Sequence, residues 1–109
     1  MTIDPVKLDK LAQVAIKVGL QLEEGQDLVM TAPLTAAPLV RRITEHAYKA
    51  GAGVVTTIYS DEEATLARYK YANDASFDKA AGWLYSGMAE AFKGNAARLA
   101  IAGDNPMML

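Results

Sequence analysis

Two rhythms of hydrophobic and polar positions divide this chain. From Asp27 to Glu63 it reads DLVMTA, a loop holding Pro33 and Pro38, LVRRITEHAYKAG, VVTTIY and SDEE. The outer pieces are short, continuous apolar runs rich in β-branched residues, the pattern of strands buried on both faces. Between them Leu39, Val40, Ile43, Ala47 and Ala50 recur at helical spacing, with Gly51 just past the end as a C-cap. A crossover between parallel strands takes about a dozen residues or more, and this connection has room for a helix. The stretch therefore predicts a right-handed βαβ unit, the seed of a parallel sheet.

The flanks repeat the pattern. Asp4-Pro5 supplies an N-cap and a proline at the first helical position. Leu8, Leu11, Ala12, Ala15, Ile16 and Gly19 then share one helical face. Residues Leu20 to Glu24 unwind into Gly25. Thr35 is a plausible N-cap for the second helix, and Ser60 with Glu63 reads as a capping box opening a third over Ala64 to Tyr71. After a polar turn at Asn73–Ser76, a fourth helix is predicted from about Phe77 to Lys93. Its stripe is Phe77, Ala81, Leu84, Met88 and Phe92, small residues Ala80, Gly87 and Ala91 lie beside it, and Gly94 ends it. The predicted strands fall near 27–32, 54–59 and 97–102. The expectation is one α/β domain over residues 1–109, three-layered, with a largely parallel sheet of about three strands flanked by helices in the order α-β-α-β-α-α-β.

Composition narrows the classes. With 109 residues, 51% hydrophobic and 22% charged, the chain suits a single soluble domain. It can bury roughly two-thirds of its unfolded surface without staples. No cysteine means no disulfide and no zinc-thiolate site, which fits a cytoplasmic protein. A net charge of −2 and pI near 5.3 argue against nucleic acid or an anionic membrane as partner. The longest uncharged run, Leu28 to Val40, is too short to span a bilayer and contains both prolines.

Candidate chemistry is sparse. The single histidine, His46, borders the buried stripe and cannot build a His-rich metal site alone. Gly51-Ala52-Gly53 resembles part of a phosphate loop but runs from helix to strand, the reverse of a phosphate-binding turn. Ligands of open α/β sheets bind beyond the carboxyl ends of the strands, where Thr35, Ser60, Asp61 and Asp104 fall. Asp61 and Asp104 facing one rim would suit a hard cation, but helix capping and Gly-Asp-Asn-Pro turn chemistry explain them more simply. Trp83 and Tyr85 flank the fourth-helix stripe, as core-margin aromatics or as a contact surface. Met30, Met88, Met107 and Met108 read as core filler. No Ser-His-Asp set can be completed. Apolar Met107, Met108 and Leu109 follow the last strand where a covering helix usually comes, which reads as a short tail tucked into the core edge or, the favoured expectation, as a chain cut from a longer protein.

Four segments, LAQVAIKVGLQLEEGQDLVMTAP, ITEHAYKAGAGVV with TTIYSDEE, AAGWLYSGMAEAF, and ARLAIAGDNP, together resemble a known family. In this order and spacing, from about Leu8 to Pro106, they are similar to the N-terminal region of the thermophilic-type metallo-aminopeptidases. Members are roughly four times as long as this chain, beyond a single small domain. The resemblance implies hydrolysis of N-terminal residues from peptides by a site of two divalent metal ions, zinc or cobalt, whose bridged water attacks a polarised carbonyl. It also implies peptide substrates and a cytoplasmic protein; a homodimer is expected because a domain cut from its enzyme would bare apolar surface near Met107–Leu109 and beside Trp83. The metal ligands of such enzymes lie in the C-terminal domain and have no counterpart here. No catalytic, cofactor-binding or metal-binding residue is therefore assigned in this chain, which alone is expected to be inactive. Two other classes remain open: a stand-alone small-ligand module using the rim of Thr35, Ser60, Asp61 and Asp104, and an interaction domain acting through Trp83 and Tyr85.

Overall fold

The computed structural model describes residues 4–102. In chain order the elements are α1 (Pro5–Val14), β1 (Leu28–Pro33), α2 (Ala37–Lys49), β2 (Val55–Ser60), α3 (Glu62–Tyr71), α4 (Gly82–Lys93) and β3 (Ala97–Ala100). The sheet runs β2-β1-β3 and both pairings are parallel, with Leu28 opposite Val55 on one side and Ala97 on the other. Crossovers between parallel strands are right-handed. A step from β1 out to β2 and a return past β1 to β3 therefore put α2 and the α3–α4 connection on opposite faces.

The core lies on the face covered by α1 and α2. Leu28, Met30 and Ala32 of β1 point into it, joined in register by Val55, Ala97 and Leu99. Over them pack two rows at i, i+4 spacing: Leu8 and Ala12 on α1 with Ile16 in the turn that follows it, and Leu39, Ile43 and Ala47 on α2. Interlocking i±4 ridges is the commonest way for helices to pack, and fully buried Ala12 and Ala47 let the backbones approach. The wider stripe expected on α1 is corrected at two positions. Leu11 is 42% exposed because the contact uses only the 8-12-16 row. Gly19 is exposed because α1 continues as a π-helical turn, Ala15–Leu20, which rotates the face so that Leu20 meets the core instead.

The ends of the helices follow local chemistry. Asp4 caps α1, its Oδ1 accepting from the Val6 amide at 2.9 Å. The structure does not use Thr35 as a cap: it sits in a 3-10 turn, Leu34–Ala36, and α2 starts after Ala36 without a side-chain cap. Gly51, at φ +94°, closes α2: its amide bonds the Tyr48 carbonyl and the Ala52 amide bonds Ala47. The same pair of bonds ends α4, but there Asn95 (φ 73°), not Gly94, takes the left-handed position. α4 also begins later than its spacing predicts. Asn73 caps a 3-10 turn, Asp74–Asp78, by accepting from the Ser76 amide at 3.0 Å. Phe77 consequently leaves the α4 stripe and stacks on Tyr69, with centroids 6.0 Å apart. Ala81 is exposed, while Leu84, Met88 and Phe92 remain half-buried.

Candidate functional site

The carboxyl ends of the strands, where a ligand site is expected, do not assemble one from the named residues. Ser60 ends β2 in register with Pro33 of β1, so the loops bearing Thr35 and Asp61 leave adjacent strands. Thr35 is exposed on its 3-10 turn. Asp61 is the N-cap of α3: its Oδ1 accepts from the Glu63 amide at 3.1 Å, and its carbonyl accepts from the Thr65 hydroxyl and amide. The capping role assigned to Ser60 thus belongs to Asp61. Asp104, Met107, Met108 and Leu109 lie outside the described residues. Among the described residues no group of three or more His, Asp or Glu side chains is placed to hold a metal ion.

The glycines near residue 51 have a different purpose from the phosphate loop they resemble. Asp27 Oδ1 accepts from the Val54 amide at 2.8 Å, the Asp27 carbonyl accepts from Ala97, and the Gly53 amide donates to Gln26. The Gln26 side chain adds a bond to the Asn95 carbonyl at 2.8 Å. Residues 26 and 27 therefore clasp the starts of both neighbouring strands. A Cβ on Gly53 would lie 2.7 Å from the Gly25 carbonyl oxygen and against the Asp27 carboxylate, so glycine is needed for this close approach.

His46 belongs to a polar cluster across the α1–α2 seam that its spacing only half disclosed. Its Nε2 lies 2.8 Å from Asp9 Oδ1, Gln13 donates to Asp9 Oδ2 at 3.2 Å, and Arg42 Nη1 is 3.9 Å away. The His46 hydrogen bond foremost, with the His46 electrostatic attraction, the Gln13 hydrogen bond and the Arg42 charge, outweighs desolvation and holds the Asp9 carboxyl below the usual carboxylate range. The signal available in the sequence was the i, i+4 spacing of Asp9 with Gln13 and of Arg42 with His46. Beside the cluster runs an open groove of ≈ 320 Å³ lined by Gln13, Ile16, Lys17, His46, Lys49 and Ala50. The hydrogen bonds of the described residues give His46 a carboxylate partner but no hydroxyl, so the cluster orients an imidazole without activating a nucleophile. Met30 is fully buried filler, whereas Trp83 (79% exposed) and Tyr85 (59%) are surface residues, not core-margin ones.

The sequence profile of the thermophilic metalloprotease (M29) family matches residues 5–109. The chain belongs to that family. This metalloprotease chain is 49% identical over 102 residues to aminopeptidase T of Thermus thermophilus, covering 94% of itself and 25% of that protein. Over 103 residues it is 39% identical to aminopeptidase 2 of Geobacillus stearothermophilus and 34% identical to aminopeptidase AmpS of Bacillus subtilis, again covering 94% of itself and 25% of each. The solved structure of wild-type AmpT from Thermus thermophilus superimposes with a TM-score of 0.87 at 48% identity, over 93% of this chain and 25% of that one. The metalloprotease chain thus spans about a quarter of the length of the relatives it matches.

Proposed function

We propose that this chain is the N-terminal α/β domain of a metal-dependent aminopeptidase, a cytoplasmic homodimeric hydrolase that removes N-terminal residues from peptides. The observation that carries this reading is the 49% identity to an aminopeptidase along 94% of the chain, with the fold matched at a TM-score of 0.87. The zinc or cobalt ions come from the family resemblance, the dimeric state from apolar surface such as exposed Trp83, and the absence of cysteine fits a reducing compartment. The residues present do not fit a two-metal centre: among those described, His46 is engaged with Asp9 and Asp61 with a helix end. In this reading the catalytic and metal-binding residues belong to the rest of the enzyme, and this domain serves to wall the substrate cavity.

Two measurements test the proposal. The purified chain incubated with zinc or cobalt is expected to release no N-terminal residue from short peptides above background; turnover abolished by a chelator would refute it. A chimera in which this chain replaces the matching quarter of the Thermus thermophilus aminopeptidase T is expected to be an active, chelator-sensitive aminopeptidase. An inactive chimera counts against the assignment.

A further inference from the structure

The α3–α4 side carries apolar surface that the fold itself does not use. Tyr71 is 82% exposed, Trp83 79% and Tyr69 71%, with Leu66 and Tyr85 more than half exposed. Neither helix contributes a buried residue. The surface is nevertheless preset. Tyr69 stacks on Phe77, Arg68 lies 5.4 Å from the Phe77 ring centroid, and its guanidinium donates to the carbonyls of Ser76 and Lys79. These bonds fix the 3-10 turn and Lys79, just ahead of α4, against α3. Rigid aromatic anchors are the residues that dominate association energies, and ordering them beforehand lowers the entropic cost of docking.

Gly87 gives an independent indication. It lies in the middle of α4, one turn beyond Trp83, where glycine costs about 1 kcal/mol relative to alanine. A Cβ at this position meets nothing within 4 Å, and no positive φ requires glycine. Nothing among the described residues explains the missing side chain. A second backbone packed closely against α4 beside Trp83 does.

The relatives supply the occupant. Their sequences match at up to 49% identity, and the solved AmpT structure shares the fold, yet the match covers only 25% of their length, so most of their polypeptide lies outside it. We propose that the α3–α4 aromatic face is the docking surface for that remaining portion of a full-length aminopeptidase, with Trp83 as anchor and Gly87 as the point of closest backbone approach. The proposal rests on the function proposed above and specifies which face of this domain meets the rest of the enzyme.

Because the chain contains no cysteine, single introduced thiols report their own surroundings. Ser86→Cys, on α4 beside Trp83, and Lys70→Cys, on α3, are placed in the isolated chain and in the aminopeptidase T chimera, with Lys10→Cys at an exposed position of α1 as control. Maleimide labelling is read by peptide mass mapping. Labelling at 86 and 70 is expected to be at least about tenfold slower in the chimera than in the isolated chain, with position 10 unchanged. Adding Trp83→Ser to the Ser86→Cys chimera is expected to restore fast labelling. Equal rates in an active chimera overturn the docking surface and leave the proposed function standing, whereas an inactive chimera overturns that function and the docking with it. Protection that appears in the isolated chain and grows with concentration assigns the face to a second copy and also overturns the proposal. Gly87→Ala is a further check: it is expected to raise the Tm of the isolated chain and lower that of the chimera, and stabilisation of both would refute the role given to Gly87.

Discussion

At Asp9, a hydrogen bond from His46, one from Gln13 and the nearby Arg42 charge all favour the ionised carboxyl over the neutral one. A carboxyl whose pKa is lower folded than unfolded stabilises the fold above its ordinary value of 3.8, and that contribution is lost as pH falls through the folded value. Asp9→Asn removes the charge while keeping an acceptor. Thermal melts near about pH 6 are expected to show the variant less stable than the parent, with the difference closing as the solution is acidified below 3.8. A constant difference across that range would show that the charge is irrelevant. Gly53 is constrained more severely, because added volume meets backbone and carboxylate oxygens with no flexible neighbour to yield. Gly53→Ala is expected to destabilise by about 1–3 kcal/mol in urea unfolding, and an unchanged midpoint would refute the clasp.

At the level of elements, α3 is the test of capping logic. It begins with Asp61 as cap and Glu62 and Glu63 in its first turn, but it buries no side chain, so its ends open without global unfolding. Asp61→Ala is expected to speed hydrogen exchange of the first α3 amides roughly fivefold, the effect of losing about 1 kcal/mol at a cap, while Ser60→Ala changes little. Equal effects of the two would return the cap to Ser60. The strands and α2 were legible because β-branched runs and i, i+4 apolar spacing are set by the chain's own core, as Met30 and Ile43 show by their complete burial. The start of α4 was not, since Phe77 has the right spacing for that helix but a local partner in Tyr69 and a turn fixed by Asn73. Gly19 misled for a related reason: apolar periodicity assumes an α-helix throughout, and a π turn changes the period. Of the candidate site, the rim position of Ser60 and Asp61 could be read, but their use as strand end and cap depended on three-dimensional context.

For the molecule as a whole, the radius of gyration of 15.8 Å exceeds the roughly 13 Å of a compact chain this long, and the shape is a slab of 45 × 38 × 18 Å. The sheet order has a further consequence, for the sequence of events during folding. β1 is the middle strand, yet the bond that ties its start to β2 spans 27 residues and the one that ties it to the approach of β3 spans 69. Closing the longer loop costs about 0.8 kcal/mol more entropy before any contact rewards it, and distant pairings form late. In pulse-labelled refolding, amides of β2 are expected to gain protection before those of β3; the opposite order would sink this sequence of steps. Between the two events β1 has one bare edge. During that interval the strand of a neighbouring molecule competes with β3 for the same hydrogen bonds, so crowded refolding is expected to trap exchanged pairs that dilution avoids.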